Sequence, residues 1–169
     1  RDRLLDRRRG HDALGQLEMG ADVLLRFPDL CAVGYVDSPE VRYDFERHGG
    51  EEHLFVHTPV GSLHGIGVRT ETSPWIPFPT RHPVQTLADL EVLLWIEEHK
   101  VWAPHVDFAA FNALVKEVGD DGFVTAPTTC SPFHYLLESA MGVSTFYELL
   151  LTHTAEVEQW MNLRHERTK

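Results

Sequence analysis

Cysteine is nearly absent from this chain, and where it occurs it is isolated. Cys31 and Cys130 are the only two. They lie far apart and outside any CxxC pair, so neither a disulfide scaffold nor a zinc ribbon is expected, and a reducing cytoplasm suits the composition. No apolar run approaches the roughly 18 to 20 residues that a membrane-spanning helix requires. The leading Arg1-Asp2-Arg3 reads as no targeting signal, so no membrane partner is expected. Clustered positive charge is scarce as well. Fifteen Lys and Arg stand against 26 Asp and Glu, for a net charge of −11, and Arg7-Arg8-Arg9 is the one basic cluster. Phosphate backbones demand more Lys and Arg than that, so nucleic acid is not an expected partner. Eleven histidines invite a metal reading, yet the only i, i+4 pair, His53 and His57, falls in a strand pattern. On one strand face the two would stand about 13 Å apart, too far to share an ion. No metal ligand is assigned within the chain.

What is present is the patterning of an α/β protein. The 169 residues suffice for one ordinary domain, but a complete eight-unit barrel typically needs about 250. A short basic helix over 1–9 and a second over about 11–20 precede a buried strand, Ala21 to Phe27, closed by Pro28 and Asp29. Between 33 and 80 the chain breaks into short extended pieces with turn signals and a proline cluster. Alternation in Glu52 to Thr58 and Ser62 to Arg69, joined across Pro59-Val60-Gly61, predicts an antiparallel hairpin inserted after the first strand. It would serve as a flap over a site or as cover for a sheet edge.

Thr86-Leu87-Ala88-Asp89 resembles a capping box with Asp in place of Glu, and it opens a helix running to about Glu98. Pro104 begins the next helix and Gly119 stops it. A strand over 122–127 leads through Thr128-Thr129-Cys130-Ser131 into a helix over 132–141, with Ser131 as N-cap and Pro132 in the first turn. A last long helix, capped by Ser144, is expected to reach about Arg167. The loop at the carboxyl end of a strand, facing the positive end of the next helix, is where α/β folds bind ligands. A small-molecule site is therefore expected around Thr129, Cys130 and Ser131.

Several stretches taken in order carry a resemblance. They are Thr58-Pro59-Val60-Gly61-Ser62-Leu63, His82-Pro83-Val84-Gln85-Thr86 leading into Asp89-Leu90-Glu91-Val92-Leu93, Gly119-Asp120-Asp121-Gly122, Ser131-Pro132-Phe133 and Met141-Gly142. Together they resemble the uroporphyrinogen decarboxylase superfamily, which includes methyltransferases serving corrinoid cofactors. The resemblance spans about residues 11–169. It implies a partial TIM (β/α)8 barrel of that type, with residues 1–169 as its N-terminal portion and 33–80 as the hairpin insertion. The missing barrel half, or a homo-oligomer, would then cover the open sheet edge. The Arg-Gln-Ala-Gly-Arg signature that binds substrate carboxylates in the decarboxylases does not occur here, so decarboxylation of a polyanionic tetrapyrrole is disfavoured.

The resemblance places Asp29 where the decarboxylase keeps the aspartate that holds pyrrole NH groups, and puts Glu138 in place of a substrate-facing tyrosine. His134 and Glu138 stand i, i+4 on one helix face, so the carboxylate can orient the imidazole for acid–base work. With Asp29 they form the candidate catalytic set. Arg26, Phe27, His57, Arg69, Thr129, Cys130 and Ser131 are the candidate substrate contacts. The expected activity is methyl transfer between a small methylated substrate and a corrinoid (cobalamin) carried by a partner protein. Any zinc would come from residues that follow this chain. Tetrapyrrole decarboxylation and a non-catalytic half-barrel that only docks a second chain are the alternatives.

Overall fold

A computed structural model describes residues 16–26, 31–32, 34–103, 105–106, 108–125 and 130–168. They fall into two compact units: Arg1–Gly34 with Ala103–Thr129, and Tyr35–Trp102 with Cys130–Lys169.

The first unit contains a parallel pair, β1 (Val23–Arg26) and β10 (Gly122–Thr125), in the register Val23 to Gly122 through Arg26 to Thr125. The backbones approach so closely at Gly122 that a Cβ there would lie 2.0 Å from the Val23 carbonyl oxygen, which is why this strand begins with glycine. Helix α2 (Phe108–Val118) packs on β10, and a 3-10 turn, Gly119–Asp121, connects them. Val23 and Val118 are buried together, with Val124 against them. A two-residue antiparallel bridge joins β2 (Cys31–Ala32) to β9 (His105–Val106).

The second unit is built on a four-stranded antiparallel sheet in the order β4 (Arg42–His48), β5 (Glu51–Thr58), β6 (Gly61–Thr70), β7 (Ser73–Arg81). A small antiparallel pair, β3 (Tyr35–Val36) with β8 (Val101–Trp102), belongs to the same unit. Val56 and Leu63 point from the sheet into a core that continues through Val84, Leu90, Leu93, Ile96, Leu136, Met141, Phe146, Leu149, Val157 and Trp160. Helix α1 (Leu87–Glu98) contributes the middle of that core. Its capping box forms as the sequence predicts: the Thr86 hydroxyl accepts from Asp89 N, and Asp89 Oδ2 accepts from Thr86 N at 3.0 Å. Helix α3 (Pro132–Tyr135) widens directly into a π-helical turn, Leu136–Ala140, closed by Met141 N donating to Leu136 O at 2.9 Å.

The expected TIM-type ring of parallel strands is not what these residues form. Among the described residues one pair of strands is parallel; the remaining pairings, in the four-stranded sheet and the two small bridges, are antiparallel. The chain is mixed α/β with several small sheets. The physical reason lies in the connections. Strands β4 to β7 follow one another through two-residue turns at Gly49-Gly50, Pro59-Val60 and Glu71-Thr72, and a parallel neighbour would need a crossover of a dozen residues or more. The inserted hairpin is accordingly the middle of a larger sheet.

The single long C-terminal helix is also corrected. It divides into α4 (Gly142–Thr152) and α5 (Thr154–Thr168), broken at His153 (φ −137°, ψ 49°), and Ser144 is not its cap. Gly142 begins α4 at φ +73°, and a Cβ there would meet the His82 ring at 2.6 Å. Of the second expected helix, residues 16–18 form a helical turn and 11–15 lie outside the described residues. No helix among the described residues is long and apolar enough to cross a membrane.

Candidate functional site

Ser131 and Pro132 start α3 as a cap should. The Ser131 side chain accepts from His134 N at 3.2 Å, and Pro132 occupies a position whose N–H would be orphaned in any case. The residue whose amide is capped also carries the candidate imidazole. His134 Nε2 contacts Glu138 Oε2 in a short hydrogen bond across the junction between the α-helical and π-helical turns. Such π-helical turns within helices frequently mark functional positions. Both side chains are open to solvent, at 58% and 68% exposure, so a reactant can reach them. Cys130, immediately before the cap, is a free and exposed thiol.

Behind this exposed pair the helix is anchored by buried rings. Tyr135 stacks on Trp160 at 5.4 Å between centroids, and the Arg164 guanidinium lies 4.6 Å above the Tyr135 ring. Burial raises the Tyr135 phenol above its ordinary range while Arg164 opposes the shift, so Tyr135 stays a neutral hydroxyl. Arg164 also donates to the buried Glu97 at 3.1 Å. Nearby, Asp37 accepts from Lys100 at 2.5 Å and from the Tyr43 hydroxyl. Burial would raise the Asp37 pKa, but the bonds from Lys100 and Tyr43 outweigh it, and the carboxyl is held below its ordinary value.

Two further sequence-predicted residues, His57 and Arg69, are engaged by neighbours on the sheet. His57 sits on the sheet, hydrogen-bonded to Ser62 and paired with Asp44. Arg69 is engaged by Glu52, with Nε 2.8 Å and Nη2 3.2 Å from its carboxylate oxygens, and a guanidinium so held is a sheet cross-link more than an anion contact. Arg26 ends β1 in register with Thr125 at the end of β10, so the two strands finish side by side. Asp29, Phe27 and Thr129 lie outside the described residues.

Sequence reasoning missed the density of rings on the outward face of the sheet. Phe55 stacks on His64 at 4.3 Å, and His53 Nδ1 is 3.1 Å from His64 Nε2. The Pro59-Val60 turn was the signal that could have found it, because pairing Thr58 with Gly61 places Phe55 opposite His64. Among the described residues no group of three or more His, Cys, Asp or Glu is placed to hold a metal ion. The chain matches no family model, no curated protein sequence and no solved structure.

Proposed function

We propose that the chain takes part in methyl transfer from a small methylated substrate to a corrinoid carried by a partner protein, with His134 and Glu138 handling the proton. The observation that carries the reading is the solvent-open imidazole–carboxylate pair at the capped start of α3. The order of motifs that resembles the uroporphyrinogen decarboxylase superfamily supports the choice of chemistry; the reading does not rest on a barrel.

When a methyl group leaves an oxygen or nitrogen, that heteroatom must gain a proton, and a positioned imidazolium donates it. Glu138 stabilises the charged ring before transfer and orients it. The test is incubation of the protein with reduced cobalamin and simple methyl donors, methanol and methylamines, followed by absorbance. Growth of the methylcobalamin spectrum is expected; its absence with every donor class would remove the proposal.

A further inference from the structure

His57 stands between a hydroxyl and a carboxylate supplied by the strands on either side of it. Strand β4 carries Asp44, β5 carries His57 and β6 carries Ser62. The Pro59-Val60 turn closes the hairpin so that His57 and Ser62 are register partners. Ser62 Oγ lies 2.9 Å from His57 Nδ1, and His57 Nε2 lies 3.1 Å from Asp44 Oδ2. An ionised carboxylate can only accept, so Asp44 keeps the ring proton on Nε2 and leaves the Nδ1 lone pair to accept from the Ser62 hydroxyl. Arg42 Nε, 3.6 Å from the same carboxylate oxygen, helps hold Asp44 in place. Ser62 is exposed, so a reactant reaches it from solvent.

A hydroxyl, an imidazole and a carboxylate in this order form the constellation that activates an otherwise weak nucleophile, and it is defined by geometry and roles rather than by fold. From it we infer that Ser62 is a nucleophile that accepts an acyl group from an activated ester, with His57 as its base and Asp44 as a positioning residue. Ser62 Oγ bonds to the ester carbonyl carbon while its proton passes to His57 Nδ1. The bond from that carbon to the leaving oxygen then breaks, and the alcohol departs with the proton from His57. Water attacks the O-acyl serine by the same route and releases the carboxylic acid. The face is open to water, with Asp44 50% and His57 35% exposed, and it lacks the enclosure that makes oxyanion stabilisation effective. A preorganised oxyanion donor contributes roughly 10²–10³-fold, so the inference is confined to esters with good leaving groups.

The test treats the full chain with p-nitrophenyl acetate and, separately, with a fluorophosphonate, and maps the modified residue by peptide mass spectrometry. Mapping decides the matter, because the exposed Cys130 thiol also releases nitrophenolate. Acetyl and phosphonyl groups are expected on Ser62. S62A should lose that label, H57Q should slow Ser62 labelling by about 10²-fold or more, and D44N should slow it as well, since an amide no longer fixes the ring proton on Nε2. No label at Ser62, or Ser62 labelling at an unchanged rate in folded H57Q or in D44N, would overturn the inference.

Discussion

A proton on His64 meets three obstacles. The ring is partly withdrawn from water, Arg81 is nearby, and His53 sits 3.1 Å away with its own capacity to charge; Glu46 opposes them only in part. The result is a pKa below the ordinary 6.5. The sign for stability follows from linkage. Above the unfolded-state value both states hold a neutral ring and His64 contributes nothing; as pH falls through that value the unfolded chain takes up a proton that the folded chain resists, and stability declines until the folded ring also charges. The thermal midpoint should therefore drop as pH falls through the ordinary imidazole value of 6.5, and the slope should flatten in H64Q. Equal slopes for the two proteins would show that the ring contact carries no such linkage. The shared face of His53 and His57 was legible because alternation along one strand reveals it. The contact with His64 does not follow from that alternation alone, because it also needs the register that the Pro59-Val60 turn sets between the strands.

Helix α1 shows how far local signals reach. Thr86 and Asp89 satisfy each other's backbone donors within one turn, and no tertiary information is needed to foresee it. T86A should cost about 1 kcal/mol, measured by urea denaturation at unchanged m-value. The other end of the same helix carries a less legible feature. Glu97 is 3% exposed and faces Arg164 and Arg167 of α5, at 3.1 and 3.7 Å. Breaking a buried pair by removing one partner leaves its charge uncompensated, so E97Q should destabilise by about 3–5 kcal/mol, discounted toward the lower figure because both arginines keep some contact with water. A loss below that of T86A would contradict this account of the α1–α5 contact. The break at His153 between α4 and α5 had no glycine or proline to announce it. Strand β7 was obscured for the opposite reason: Pro74, Pro77 and Pro79 look like turn signals, yet an edge strand accepts residues without an N–H. Strand β4 does alternate, with Tyr43 and Phe45 between charged residues, but it is exposed along its whole length, so the pattern marks no buried face.

For the whole molecule, the order of strands and helices suggested βα units, and one parallel pair, β1 with β10, is present among the described residues. The strands from Arg42 to Arg81 went instead into antiparallel pairing, because two-residue turns leave no room for crossovers. The candidate site was legible where it is local: the Ser131 cap, and the i, i+4 spacing of His134 and Glu138. It was not legible where it required assembly, since His57 and Arg69 are each engaged by partners within the sheet. The chemistry proposed for α3 is tested most directly by the rate of cobalamin methylation in the wild-type protein and in H134Q, at saturating methyl donor. The account predicts a rate lower by about 10²–10⁴-fold in H134Q with the helix content unchanged, and equal rates in the two proteins would contradict it.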